Sequence, residues 1–361
     1  MAKFHTLKVS DVHRETKDAV SVAFEVPENL ASEYKYIQGQ YLTFKLMMDG
    51  EEVRRSYSIC TSPVADSDLR IAVKEVEGGK MSPYLNKTVK AGDEIEVMTP
   101  MGRFFTEVSE NNAKNYVLFA GGSGITPIFG IIKTILKVEP KSQIKLVYAN
   151  RNEFSVIFKD QLEKLADENQ NFKLILTYDQ APAHFDDLNS GVLNKSKVLE
   201  LVEAYNVQST ADEIFVCGPA PMMNNITETL SNLGVDKKKV HVEYFTTVLE
   251  DIAKEENKAP QVESDFNGKA SIKVILDGEE AEFELSSDGD SILDAAIDAG
   301  LDVPFSCKGA VCCTCRAKVM EGKVEMDMNY ALEEDEIEEG FVLTCQSHPR
   351  SANVVVDFDQ M

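Results

Sequence analysis

The sequence predicts three domains in series: an antiparallel β-barrel, an open α/β domain built on a parallel sheet, and a small α+β domain. Three observations carry that prediction. Short alternating β-rich stretches recur at regular spacing over residues 1–108. Continuous apolar strands then alternate with helical segments over 109–249. Past a polar, proline-bearing linker at 250–268, five of the seven cysteines gather in 269–361.

The barrel rests on Leu7-Lys-Val-Ser, Ser21-Val-Ala-Phe-Glu-Val, Tyr41-Leu-Thr-Phe-Lys-Leu, Leu69-Arg-Ile-Ala-Val-Lys and Glu94-Ile-Glu-Val-Met. Turns fall at Gly39, Asp49-Gly50 and Gly92-Asp93, the spacing of a small antiparallel sheet closed on itself. The α/β domain opens on the apolar run Tyr116-Val-Leu-Phe-Ala, a glycine-rich turn and a helix over 127–138. A strand at 144–149, a helix near 155–168, strands at 172–177 and 213–217, a helix over 221–233 and a strand from His241 follow. Buried strands alternating with helices mean a parallel sheet. In the last domain a hairpin turns at Asp277-Gly278 and a helix covers 291–299.

At 361 residues the chain is too long for one ordinary core. With 43% hydrophobic and 27% charged residues it has a globular composition, and it holds no apolar run long enough to span a bilayer. The N-terminus lacks a signal core, so the expected location is cytoplasmic. A net charge of −24 argues against nucleic acid. Acidity concentrates at the end: residues 269–361 hold 21 acidic and 7 basic side chains, a net −14, including the run Glu333-Glu-Asp-Glu-Ile-Glu-Glu339. That face is either a solvated acidic helix or a surface that steers a basic partner. None of the five histidines has metal-ligand spacing, and each is expected to be structural.

Cys307, Cys312, Cys315 and Cys345 form C-x4-C-x2-C followed, after 29 residues, by a fourth cysteine. An odd cysteine count without a secretion signal is a poor disulfide framework. The spacing is instead that of a plant-type [2Fe–2S] cluster, whose two irons need four thiolates. Gly309 and Ala310 are expected to leave backbone N–H groups pointing at sulfur. A structural zinc site is the alternative, and Cys313 is expected to be a non-ligand.

Arg55-Ser-Tyr-Ser58 ends a barrel strand, and Gly78-Gly-Lys-Met-Ser82 follows about twenty residues on. Together they read as a flavin site. Arg55 supplies a fork for phosphate, Tyr57 a ring beside the isoalloxazine, and Ser58 a hydroxyl for its N5 edge. Gly79, Lys80, Met81 and Ser82 lay amides and a hydroxyl against pyrophosphate. Gly121-Gly-Ser-Gly-Ile-Thr-Pro127 joins strand to helix, placing Gly122, Ser123, Gly124, Ile125 and Thr126 where a dinucleotide's pyrophosphate meets a helix N-terminus. Cys217-Gly218-Pro219 ends another strand on the carboxyl edge of the sheet, and Cys217 either is buried or faces the nicotinamide. Arg151, just past the second strand, suits a 2′-phosphate and favours NADPH; Glu153 keeps NADH open.

These motifs, in this order, resemble the ferredoxin–NADP reductase superfamily carrying a C-terminal plant-type ferredoxin domain. Within it the chain is most similar to the reductase subunits of phenylacetyl-CoA epoxidases, through Ser306-Cys-Lys-Gly-Ala-Val-Cys, Cys315-Arg-Ala-Lys-Val, Met326-Asp-Met-Asn-Tyr-Ala-Leu and Gly340-Phe-Val-Leu-Thr-Cys-Gln-Ser. It departs at Cys313, where a small hydroxyl residue is commoner, and at Ala149, where glycine often precedes Asn-Arg. The resemblance implies FAD as the flavin, Glu243 and Phe245 near its ring, and a β-grasp fold for the last domain. It also implies Ser58, Cys217 and Glu243 as the residues around the reacting atoms. Electrons would run from NADPH through FAD and the cluster to the oxygenase component of a multicomponent monooxygenase. A flavin must stand between, since it takes two electrons together and releases them singly. No general base is required. The alternatives are another acceptor (a different oxygenase, a desaturase or a hybrid-cluster protein) and a redox sensor.

Overall fold

The computed structural model describes residues 3–245 and 266–360. It divides into two compact units, Phe4–Glu243 and a second that begins at Tyr244. Most of the expected linker at 250–268 lies outside the described residues.

The first unit opens with six antiparallel strands: β1 (Phe4–Thr16), β2 (Ala19–Glu25), β3 (Tyr41–Met48), β4 (Glu51–Ser58), β5 (Leu69–Lys74) and β6 (Glu94–Met98). Their order is β4-β3-β6-β1-β2-β5, and an antiparallel bridge from Ile59 to Ile71 joins the two ends into a barrel. Alternation works as expected: Leu7, Val9, Val22, Phe24, Leu42, Phe44, Ile71 and Val97 fill the interior. Helix α1 (Met81–Lys87) follows β5.

The second half of this unit is a parallel sheet of β7 (Asn115–Gly121), β8 (Gln143–Asn150), β9 (Phe172–Tyr178), β10 (Glu213–Cys217) and β11 (Val240–Glu243), ordered β11-β10-β7-β8-β9. The chain reverses direction across the sheet between β7 and β10, the switch point where open α/β sheets bind ligands. The helices are α2 (Ile125–Val138), α3 (Lys159–Glu168), α4 (Lys195–Ala204), α5 (Val207–Thr210) and α6 (Ala220–Asn232). The sequence pattern started α3 about four residues too early. Residues 153–155 form a separate 3₁₀ turn, and Phe158 takes a left-handed φ of 60° that stops a helix from running through. Helices α4 and α5 went unread, being short: ten and four residues.

Helix α2 ties the sheet to the barrel. Thr134 Oγ1 donates to Ser62 Oγ at 2.8 Å, and Lys133 pairs with Asp66 at 2.5 Å.

The second unit holds β12 (Lys269–Leu276), β13 (Glu279–Ser286), β14 (Arg316–Glu321), β15 (Val324–Met326), β16 (Phe341–Leu343), β17 (Ser347–Pro349) and β18 (Asn353–Asp357), with α7 (Ile292–Asp298) and α8 (Glu334–Glu338). Five strands form a mixed sheet, β13-β12-β18-β14-β16, and α7 packs over the core of Ile272, Val274, Ile292, Leu293 and Val356. Ser291 caps α7 by accepting the Asp294 amide at 3.1 Å. The acidic run around α8 is not wholly solvated. Glu336 is 2% exposed, with Arg316 Nε at 3.1 Å, and the Arg316 guanidinium lies 3.6 Å from the Phe341 ring centroid.

Candidate functional site

Two sites form, one in each unit. In the first, strands from barrel and sheet bring together residues nearly two hundred positions apart. Ser58, at the end of β4, donates from Oγ to Glu243 Oε2 at 3.2 Å. Glu243 ends β11 in direct register with Cys217, which ends β10. Burial pushes the Glu243 carboxyl up to about 8, with the Ser58 hydroxyl opposing. Burial, reinforced by the Glu243 charge, also holds the Cys217 thiol well above its usual range. At neutral pH the cluster is a hydroxyl, a carboxylic acid and a thiol, an uncharged floor at the switch point.

The proton on Glu243 has a consequence for stability. An unperturbed carboxyl near 4.5 gives up its proton in the unfolded chain, whereas the folded chain keeps it until about pH 8. This contribution is complete below about pH 4.5 and is lost as pH rises through 8. Glu243→Gln should flatten that limb, so that the unfolding free energies of variant and parent, taken from urea titrations, diverge between pH 5 and 9 by on the order of a few kcal/mol. Parallel curves would refute the raised value.

Arg55 and Tyr57 sit on the same side of β4 by pleat alternation. Arg55 is exposed, and Tyr57 packs on Phe44 with ring centroids 5.7 Å apart. Of the expected phosphate cradle, Gly79 is already engaged, donating its amide to Val76 O at 3.1 Å, and Ser82 Oγ accepts the Val76 amide at 3.1 Å. What faces outward is Lys80, paired with Glu51 at 2.5 Å, and the first-turn amides of α1, which precede any intrahelical acceptor. Met81 contributes backbone alone, since its side chain lies in the barrel core.

The glycine-rich turn packs against the 217–219 segment so closely that side chains are excluded. A Cβ on Gly124 would lie 2.1 Å from Cys217 O. Gly122 has φ +51° and opens outward, where the nearest group to a would-be Cβ is Lys74 Nζ at 4.0 Å. Open space above a left-handed glycine beside an ammonium suits a pyrophosphate. Ile125 is core, and Thr126 Oγ1 donates to Ser123 O at 2.8 Å, bracing the turn. Lys74 was missed in the sequence because a lysine ending a barrel strand carries no motif.

Past β8, Arg151 is exposed. Asp179, itself largely exposed, stands beside it: partial desolvation raises its carboxyl and the Arg151 guanidinium opposes the rise. Sequence reading missed Asp179, which reaches Arg151 only because β8 and β9 pair in parallel, Asn150 against Tyr178. Phe245 is half-buried and groups with the second unit.

In the second unit the four expected cysteines converge two by two. Cys312 Sγ lies 3.1 Å from Cys307 Sγ, and the Cys315 and Cys345 thiols hydrogen-bond to each other, each pair within electrostatic reach of the other. Among the described residues no three His, Cys, Asp or Glu side chains converge on a single ion. Two neighbouring pairs of thiols suit the two irons of a [2Fe–2S] cluster, one pair to each iron. Backbone amides converge on sulfur as expected. Gly309 N–H donates to Cys307 Sγ at 3.3 Å, and the amides of Val311 and Cys312 also face it, holding that thiol below its usual range after the larger effect of Cys312. The left-handed residues of the loop are not Gly309 but its neighbours, Lys308 (φ 50°) and Ala310 (φ 62°). Cys313 turns away and donates to Ala331 O at 3.3 Å.

Three family models match the chain in sequence: an oxidoreductase FAD-binding domain over 6–106, an oxidoreductase NAD-binding domain over 118–228, and a 2Fe-2S iron-sulfur cluster binding domain over 274–350. The chain is 41% identical over 360 residues to a component of the 1,2-phenylacetyl-CoA epoxidase of Escherichia coli K12, covering 99% of both. It is 33% identical over 364 residues to the ferredoxin reductase component of 3-ketosteroid-9-alpha-monooxygenase of Mycobacterium tuberculosis H37Rv, covering 98% of this chain and 96% of the relative. Among solved structures, phthalate dioxygenase reductase shares the fold at TM-score 0.56 and 23% identity over 98% of each chain. No helix among the described residues is long and apolar enough to cross a membrane.

Proposed function

Since the chain belongs to the oxidoreductase family in which FAD-binding, NAD-binding and 2Fe-2S cluster-binding domains follow one another, we propose that it carries electrons from NADPH to the oxygenase component of a phenylacetyl-CoA epoxidase in the cytoplasm. That it is an NAD(P)H-dependent oxidoreductase of the kind that serves oxygenases follows from its relatives. The observation that supports the particular acceptor is the 41% identity to the epoxidase component across the whole chain. The test mixes the purified protein with epoxidase oxygenase subunits. NADPH and oxygen should be consumed, and epoxide formed, only with phenylacetyl-CoA present, and more slowly as salt screens the acidic last domain. No product at any salt removes this acceptor.

In this reading Arg55, Lys80 and the first turn of α1 bind the FAD phosphates, Tyr57 flanks the ring, and Ser58 bonds its edge. Bound FAD converts a two-electron donation into single-electron steps. Residues 122–126, with Lys74, hold the NADPH pyrophosphate, and residues 217–219 close over it. Glu243 keeps its proton below about pH 8 and Cys217 stays a thiol, so no fixed charge competes with the nicotinamide. Cys307 and Cys312 would hold one iron of the cluster, Cys315 and Cys345 the other.

Exposed Arg151 supports NADPH as donor, while Asp179 beside it favours NADH as the second reading. Arg151→Ala should weaken NADPH by about 1.5–3 kcal/mol and leave NADH nearly unchanged. Equal losses for both donors would mean that Arg151 only supports the loop.

A further inference from the structure

We infer that the Tyr148 hydroxyl is a positioning strut, setting the distance between the two loops that grip opposite parts of the dinucleotide's adenylate half. Tyr148 lies on β8 among Ile144, Leu146 and Val147 and is fully buried. A tyrosine in such a strand brings a hydroxyl that must find partners. Here it finds one in each loop. It donates to Gly122 O at 2.9 Å, in the glycine-rich turn, and accepts the Ile157 amide at 3.3 Å, in the segment that follows Arg151.

Each loop is stiff in itself. The Arg151 loop is pinned by a reciprocal cap, Asn152 Oδ1 accepting the Phe154 amide and Ser155 Oγ accepting the Asn152 amide, both at 3.1 Å. The glycine turn is wedged on Cys217 and braced by Thr126. Neither set of contacts fixes one loop relative to the other. What relates them is the β7–β8 ladder, which ends at Gly121 against Ala149, and beyond it, among the described residues, the Tyr148 hydroxyl together with Phe158 stacked on Phe129 of α2 (centroids 4.5 Å apart). A strut of this kind matters to a ligand that spans both loops and hardly at all to one that touches a single loop, because pre-set spacing lowers the cost of engaging the second contact.

The inference rests on the reading that the Arg151 loop takes a 2′-phosphate, and the experiment separates the two. Calorimetric titration of the FAD- and cluster-loaded protein with NADP+ (spanning both loops) and with 2′-AMP (touching only the Arg151 loop) is compared between parent and Tyr148→Phe. The expected result is an NADP+ Kd about fivefold higher, the worth of one hydrogen bond, with the 2′-AMP Kd changed less than about twofold. Ser155→Ala, which loosens the Arg151 loop itself, should weaken both ligands alike. An unchanged NADP+ Kd, an equal loss for both ligands in Tyr148→Phe, or a variant that no longer retains FAD would overturn the strut. If Arg151→Ala leaves 2′-AMP binding intact, the reading of the loop fails instead, and the strut is then judged on NADP+ alone.

Discussion

Cys345→Ser is expected to stop electron delivery to an external one-electron acceptor, by at least about 100-fold, while NADPH still bleaches the flavin at the parental rate. Cys345 sits in a short turn between β16 and β17, with 29 residues between it and Cys315, and its thiol meets that of Cys315. Removing it leaves one iron with a single thiolate. The parent protein should carry about two iron and two acid-labile sulfide per chain, and the variant neither. The nucleotide and flavin motifs belong to the other unit, which is why flavin reduction survives. Cys313 could rescue the cluster only by breaking its bond to Ala331 O. Full iron and sulfide that persist when Cys313 is replaced by serine as well would remove Cys345 from the ligand set.

Gly124→Ala should be nearly as damaging for a different reason. The new methyl would lie 2.1 Å from Cys217 O, 2.4 Å from its carbonyl carbon and 2.7 Å from the Gly218 nitrogen, all backbone atoms that no rotamer change can move aside. Either the turn or the 217–219 segment must shift, at a cost of about 2–4 kcal/mol, and both sides of the pyrophosphate site shift with it. Loss of NADPH-driven flavin reduction should therefore accompany a lower urea midpoint, with FAD retained. Gly234→Ala serves as the contrast. Gly234 has φ +76° but open space around it, so alanine there should cost about 1 kcal/mol of backbone strain and leave NADPH binding untouched. Normal NADPH affinity in Gly124→Ala would mean that the turn is not the pyrophosphate site.

The amino-acid sequence by itself determined whatever depends on neighbours close along the chain. The three strand-and-helix patterns, the turn at Asp277-Gly278, the glycine-rich strand–helix turn and the C-x4-C-x2-C loop are local: their hydrogen bonds and φ angles are set within a few residues, so spacing alone reveals them. Even there, which residues of the cluster loop go left-handed escaped it. Gly309 is the residue with conformational freedom, yet the strain falls on Lys308 and Ala310, where turning the amides toward sulfur demands it.

Only the tertiary structure decided what depends on distant partners. Helix α3 starts late because Phe158 is left-handed, its ring stacked on Phe129 of another helix, a contact no helical periodicity contains. Lys74 reaches the glycine turn because barrel and sheet pack together, and Asp179 reaches Arg151 because two strands pair in parallel. Tyr148 reads in sequence as one more apolar residue, and becomes a link between loops only when its hydroxyl has two buried partners. The proton on Glu243 follows from desolvation where three strand ends meet, and the pairing of four thiols two by two from a turn that returns after 29 residues. Burial and electrostatics are properties of assembled surroundings, and a linear pattern can name the participants without fixing the field each one feels.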